Sequence, residues 1–369
     1  MQEEITFGVS RYHNINAVTC YMNSILAILQ QTPRFTDYLL SDELRDILIS
    51  KFSKEELDKT VVFNLFKLFY TSLTNDDIII RPTSFRKAIS EKCFIWGENQ
   101  HQDSQEFLNF LITNIEEEIY VDKIFVPGRK GFNSINNKDI KYNIENILSV
   151  INWNKFMKKE ISPIKQLFTG LQKTDIECSI CGNHSNNFEI YQMLSLSIPI
   201  VDKIRDLYKS FKLEDLIDIY LSKEKLDKDN MSKCDFCYIK NRQTKQTKLW
   251  KTPQILIIQI KRFLMNDYGI MSQKLNNLIT YPVRDLDMSP YIDDNSPHKK
   301  KSKYHLFGVN CHHSLGNFNT INFGHYTSIV KSMNDNCWYH YDDSNPVEKV
   351  TTDKQLINKN AYLLFYYKV

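Results

Sequence analysis

Three residues far apart in the chain, Cys20, His325 and Asp342, carry the side chains of a nucleophilic catalyst. They are a thiol, an imidazole to take and return its proton, and a carboxylate to orient the imidazole. Cys20 opens an apolar, helix-like run within VTCYMNSILAILQQ, residues 18–31. At a helix N-terminus the unsatisfied backbone N–H groups and the positive end of the dipole favour an anion, so the thiolate is stabilised there. From that stretch alone, a Cys acting as a small buried hydrophobe is the commoner reading. His325 stands at a strand start in NFGHYTSIV, directly after Gly324, and CWYHYDD ends the next strand with Asp342 and Asp343. Two antiparallel strands can set the imidazole beside either carboxylate. Many chains of this size contain such a set, so the scaffold has to decide.

A second constellation is formed by CSIC, with Cys178 and Cys181, and CDFC, with Cys234 and Cys237. Each pair on a tight turn presents two thiolates, and two pairs complete a tetrahedral four-cysteine zinc site. The gap between them is long for a compact ribbon, so one zinc ion would clamp two distant hairpins. A closed site of this kind is structural and leaves no open position for substrate. Four unrelated thiols are the bland alternative, and a redox role is disfavoured because neither pair precedes a helix or a βαβ unit.

The elements that must carry these groups divide along the chain. Apolar residues recur at helical spacing through Ile25, Leu26 and Leu29, through Leu44, Ile47 and Leu48, and through Phe63, Leu65, Phe66 and Phe69. Residues 127–147 are polar and turn-rich and read as a surface insertion. From Leu167 the pattern turns to strands at 188–200, 247–250, 255–260, 304–310, 325–330, 337–343 and 361–367, with a short helix at 213–221. A charged loop, a solvated connection, is expected at 293–303. Helices followed by antiparallel strands imply an α+β fold.

With 369 residues, 42% of them hydrophobic and 25% charged, the chain can bury a large core. A net charge of +3 argues for neither nucleic acid nor membrane as partner. The longest apolar runs are of strand length. The N-terminal MQEEITFGVSRYHN lacks the basic start and apolar centre of a secretory signal. An intracellular monomer, cytoplasmic or nuclear, is expected.

Six segments in order resemble the ubiquitin-specific proteases, a family of papain-like cysteine peptidases that remove ubiquitin. TCYMNSILAILQQTPRF is similar to that family's cysteine box, and HQDSQEFLNFLI to its Q-Q-D-A-x-E-F-L segment. LFTGLQKTDIECSIC, followed by FEIYQMLSLSIP, resembles the lead into its zinc fingers. KTPQILIIQIKRF is similar to its P-x-x-L-x-x-x-L-K-R-F strand, and YHLFGVNCHHSLG with GHYTSIV and CWYHYDDSNPV to its histidine box. The resemblance covers about residues 10–367. It implies a single catalytic domain over 1–369: a helical thumb to about 165, zinc-bearing fingers over 166–262 and a β palm over 263–369.

The implied reaction is thiol-dependent hydrolysis of the isopeptide or peptide bond after ubiquitin's C-terminal glycine. Cys20 would attack, His325 would take and return the proton, and Asp342 would orient His325, with Asp343 as the fallback. Asp103 and Glu106 match acidic positions expected to meet arginines of the ubiquitin tail. Residues 314–323 fall where the family has a loop over that tail. Another ubiquitin-like modifier as substrate, or a catalytically weak ubiquitin-binding scaffold, are the alternatives.

Two departures stand out. The family's oxyanion-holding asparagine, five residues before the nucleophile, corresponds ungapped to Ile15, between Asn14 and Asn16, and its glycine three before the Cys to Ala17. A re-registered loop is expected, with Asn16, or else Asn14, supplying the donor. Losing one such donor costs on the order of 10²–10³ in rate. Phe323 also precedes Gly324 where a small residue is common.

Overall fold

The computed structural model describes residues 10–75, 78–120, 137–157, 162–200, 206, 209–265, 271–299, 302–314 and 324–369. Helix α1 (Cys20–Gln30) is buried along its whole length. A helix surrounded on all sides has to satisfy its polar side chains internally. Asn310 does much of this: its Nδ2 donates to Ser24 Oγ at 2.8 Å, and its Oδ1 accepts from Ser104 Oγ at 2.8 Å. Gln30 accepts from Tyr12 OH at 2.9 Å through Oε1. Ser104 begins helix α2 (Ser104–Ile119), so one asparagine of the sheet pins both helices.

Beyond these helices, Gly170–Glu177 (β1) and His184–Tyr191 (β2) form a hairpin, and Met193–Ser197 (β3) follows at once. Thr244–Lys251 (β4) pairs antiparallel with β1 and Ile255–Lys261 (β5) comes next. Lys303–Ser314 (β6), Gly324–Lys331 (β7), Trp338–Tyr341 (β8), Glu348–Val350 (β9) and Ala361–Lys368 (β10) complete the main strands. The large sheet runs β9-β8-β7-β6-β10-β5-β3, with Leu286–Asp287 also paired to β6. The second sheet runs β2-β1-β4 and adds Glu224–Lys225. All of these pairs are antiparallel except β5 with β3, which is parallel.

The large sheet is buried on both faces, which explains the near-continuous apolar character of ILIIQI and AYLLFYY. Ile255, Ile257, Leu363 and Phe365 face the helical core that includes α1 and α2. Leu256, Ile258, Ile260, Leu364 and Tyr366 face a second core closed by the helix Leu213–Tyr220. No helix among the described residues is long and apolar enough to cross a membrane.

Three expectations change. The single strand expected over 188–200 breaks at Gln192, because Tyr191 pairs with Gly170 in one sheet while Met193 pairs with Ile257 in the other. Residues 137–147, expected in a surface insertion, begin the helix Asn137–Met157. Glu145 of that helix is buried, accepting from Lys173 Nζ at 3.3 Å and from Asn295 Nδ2 at 2.9 Å. Lys173 also pairs with Asp293 at 2.9 Å, so the first residue of the expected charged loop is a buried ion-pair partner. Single-residue polarity cannot reveal such a network. Residues 127–136 of the expected insertion lie outside the described residues, as do 315–323.

Candidate active site

Cys20 occupies the first position of α1, and the turn before it is cross-braced. Asn14 Oδ1 accepts from Thr19 N at 2.7 Å, and Thr19 Oγ1 accepts from Ile15 N at 2.8 Å. Two successive residues, Asn16 and Ala17, take positive φ of 54° and 58°. That left-handed pair costs an Ala appreciably more than an Asn or Gly. Strand β7 lies against α1.

His325 is the second residue of β7, opposite His313 of β6. A Cβ on the preceding Gly324 would lie 2.1 Å from His312 Nε2, so only glycine allows β6 and β7 to approach so closely here. His325 Nε2 meets Asp342 Oδ1 at 2.5 Å, leaving Nδ1 as the ring nitrogen that can engage Cys20. Asp342 Oδ2 accepts from Asn345 Nδ2 at 3.0 Å. Asp343 turns the other way, with a φ of 51°: its Oδ1 accepts from Asn23 and its Oδ2 from Asn14, each at 2.7 Å, and it stays 3.9 Å from His325 Nε2. The two carboxylates therefore divide between the imidazole and the start of the helix.

The electrostatics follow. Burial pushes the Cys20 thiol up, but hydrogen bonds from His101 and His325, the Tyr326 N–H and the charge of His325 outweigh it, and its pKa lies below the ordinary thiol value. The hydrogen bond to Cys20 raises His325, burial opposes it, and Asp342 and the nearby charges carry it to about 9. Burial raises Asp342, yet its bond to His325 and the charge of that ring leave it below the usual carboxylate value. For Asp343 burial wins, and its pKa is raised. The arrangement favours a thiolate–imidazolium pair.

Asn16, the expected oxyanion donor, is directed elsewhere: its Nδ2 donates to the Asn99 side chain at 2.7 Å in an exposed position. Asn14 is instead the asparagine bonded to Thr19, the residue before Cys20. Asp103, expected to meet substrate, is buried. Its Oδ1 caps α2 by accepting from Gln105 N and Glu106 N, and its Oδ2 accepts from Tyr362 OH at 2.8 Å and Tyr326 OH at 3.3 Å. It ties α2 to β7 and β10. Glu106 is exposed on the first turn of α2 and free to meet a cation. Asn23, Asn14 as the partner of Asp343, and His101 escaped the sequence reading. Only HQD, where the similar family pattern has Q-Q-D, offered a signal for His101.

Far from Cys20, the four cysteines come together, their sulfurs all within 4.8 Å of one another. Cys178 Sγ lies 3.9 Å from Cys237 Sγ, and Cys181 Sγ lies 3.8 Å from Cys234 Sγ. Four thiolates about 2.3 Å from a tetrahedral ion would be separated by about 3.8 Å, so the set fits a metal. Both turns have one design. Cys178 N donates to Asn183 O and Gly182 N to Cys178 O; Cys234 N donates to Ile239 O and Tyr238 N to Cys234 O. Gly182 and Tyr238, at the same place in each turn, have φ of 67° and 62°.

Residues 12–366 match the family model described as ubiquitin carboxyl-terminal hydrolase. The chain belongs to that family. It is 30% identical over 347 residues to the probable ubiquitin carboxyl-terminal hydrolase R319 of Acanthamoeba polyphaga mimivirus, covering 84% of this chain and 70% of that protein. To ubiquitin carboxyl-terminal hydrolase 2 of Bos taurus it is 30% identical over 369 residues, covering 99% of this chain and 56% of that protein. The chain thus spans little more than half the length of the bovine relative. A solved structure of the SAGA DUB module Ubp8/Sgf11/Sus1/Sgf73 bound to ubiquitin aldehyde is similar with a TM-score of 0.71 at 24% identity, covering 100% of this chain and 71% of that chain. The same module with a substituted Ubp8, bound to monoubiquitin, gives a TM-score of 0.72 at 24% identity over the same shares of the two chains. The expected α+β fold of a ubiquitin carboxyl-terminal hydrolase, a family of enzymes, is the fold this chain has.

Proposed function

We propose that this chain is a thiol-dependent deubiquitinase in which Cys20, His325 and Asp342 act as nucleophile, general acid–base and orienting carboxylate. The observation that carries the reading is the 2.5 Å bond from His325 Nε2 to Asp342, on the strand packed against α1, whose first residue is Cys20. The Cys20 thiolate attacks the carbonyl carbon of the bond after ubiquitin's terminal glycine, and the carbonyl π electrons move to oxygen. Collapse of that intermediate expels the amine, which takes the proton from His325 Nδ1. His325 then accepts a proton from water as it attacks the thioester, which releases the ubiquitin carboxylate and returns the thiol. Asn14 keeps a second amide hydrogen beyond the one given to Asp343, and that hydrogen is assigned to the oxyanion. Glu106 is assigned to a cationic residue of the substrate tail.

The four cysteines are assigned to one structural zinc ion, which would hold the two knuckles together without taking part in the reaction. Eight cysteines, all unpaired in disulfides, suit a reducing intracellular compartment.

Ubiquitin carrying a thiol-reactive group at its C-terminus tests the reading by intact mass. One adduct is expected on the native protein and none on Cys20→Ala. No adduct on folded protein, together with an adduct from a probe built on another ubiquitin-like modifier, would overturn the substrate assignment. No adduct with any probe would leave a binding protein.

A further inference from the structure

A cavity of about 410 Å³ is lined by residues of the helices Phe35–Leu39 and Pro163–Phe168 and by residues 251–254, which join β4 to β5. It lies away from Cys20. Arg34, on its rim, follows the C-terminal end of α1, and Gln254 O accepts from Lys368 N at the end of the large sheet remote from His325. Tyr38, Ile164, Leu167 and Pro253 give the cavity apolar walls, Arg34 and Lys251 are its charged residues, and no residue lining it carries a carboxylate. Arg34 takes a left-handed backbone with a φ of 63°, which disfavours any residue with a Cβ. Strain held at the rim of a cavity is a pointer to use. Lys251 is half-buried, its Nζ 3.5 Å from the centre of the Trp153 ring. Lys368 Nζ donates to Thr252 Oγ1, in the same wall, at 3.0 Å. Among the described residues none of these three cations has an ion pair, and burial together with Lys368 holds the Lys251 pKa below the ordinary lysine value. Thr169 also lines the cavity, and its buried hydroxyl has no partner among the described residues. That is a cost which a ligand oxygen would remove.

We propose that this cavity is a binding site for an organic phosphate monoester, with Arg34, Lys251 and the Thr169 hydroxyl on the phosphate oxygens and the apolar walls on the body of the ester. A phosphate monoester carries a charge of about −1.5 to −2 at pH 7, which matches two unpaired cations, whereas a carboxylate would match one. The guanidinium fork of Arg34 suits two phosphate oxygens and the ammonium of Lys251 a third. The volume is that of a small-molecule site, mostly apolar with a few polar groups that fix orientation. The site stands apart from Cys20 and does not depend on the deubiquitinase reading.

Isothermal titration of the full chain with phenyl phosphate tests the site, with inorganic phosphate and phenol as controls. Phenyl phosphate should bind at least about tenfold more tightly than either control. Arg34→Asn, which suits the left-handed backbone, and Lys251→Met, which keeps an apolar stem over Trp153, should each weaken binding about tenfold. Thr169→Val should weaken it about threefold while the melting temperature of the ligand-free protein holds or rises, because an unpartnered hydroxyl is removed. Ligand-free melting shows which variants are folded. Should Lys251→Met not fold, Arg34→Asn reads the same loss. No binding of phenyl phosphate at millimolar concentration would overturn the proposal, and so would native affinity in folded Arg34→Asn and Lys251→Met. Affinity no greater than that of inorganic phosphate would overturn the organic-ester assignment. A phosphotyrosine peptide, compared with its unphosphorylated form, separates the sources of the ester. Binding tighter than phenyl phosphate supports a phosphate borne on a protein, and no binding beside a phenyl phosphate signal supports a free small molecule.

Discussion

Asp342 and Asp343 are adjacent in sequence and differ in what they hold. Asp342 grips His325, while Asp343 accepts from Asn14 and Asn23 at the start of α1. Replacing each in turn should therefore give different pH profiles. The thiolate–imidazolium pair exists above the lowered pKa of Cys20 and below the raised pKa of His325, about 9. Hydrolysis should rise as pH climbs through the first and fall as it climbs through the second. Asp342→Ala removes a group that raises His325, so the alkaline limb should move to lower pH. Asp343→Ala should move that limb less, because its oxygen lies at 3.9 Å. The opposite ranking would reassign the imidazole's partner to Asp343. The sequence placed both aspartates at the end of the right strand and left the choice between them open. A backbone φ of 51° at Asp343, which sends neighbouring side chains apart, has no signature in the pattern of residue types.

At the scale of elements, the site is a junction between α1, α2 and the edge half of the large sheet. Asp103 serves that junction as both helix cap and acceptor for two tyrosines. Losing a cap costs about 1 kcal/mol and each buried hydroxyl left without an acceptor about 1–3 kcal/mol. Asp103→Ala should therefore lower stability on the order of 3 kcal/mol or more, measured by the midpoint of denaturant unfolding. Glu106→Ala, on an exposed helix face, should leave stability within about 0.5 kcal/mol and raise KM for the ubiquitin substrate. A stable Asp103→Ala with raised KM would restore Asp103 as a substrate contact. The sequence placed Asp103 and Glu106 only through their match to acidic positions of the similar family. The buried cap was not legible, because its burial comes from Tyr326 and Tyr362, more than two hundred residues away.

For the whole molecule, the two large cores meet on the central sheet, and the cysteine knuckles lie outside both. Metal binding and local folding are coupled where no core holds a turn in place. Chelation should therefore open residues 178–183 and 234–239 to limited proteolysis and weaken ubiquitin binding, while the main thermal transition persists. Purified protein without stoichiometric zinc, together with a Cys178→Ser variant of unchanged protection and activity, would remove the metal assignment.

Patterns local to a few residues were enough to place Cys20 at a helix start, the cysteines in two pairs, His325 on its strand with the aspartates after the next one, and the chain in the α+β class. Each rests on helical or strand periodicity or on ligand spacing, which residue types encode directly. Tertiary structure decided which carboxylate meets the imidazole, and that Asn14 and not Asn16 bonds the turn just before Cys20. It also decided that Asp103 and Glu145 are buried, and that residues 188–200 divide between two sheets. Those outcomes depend on contacts across hundreds of residues and on single left-handed backbone positions, where the direction of a side chain is set by what packs against it.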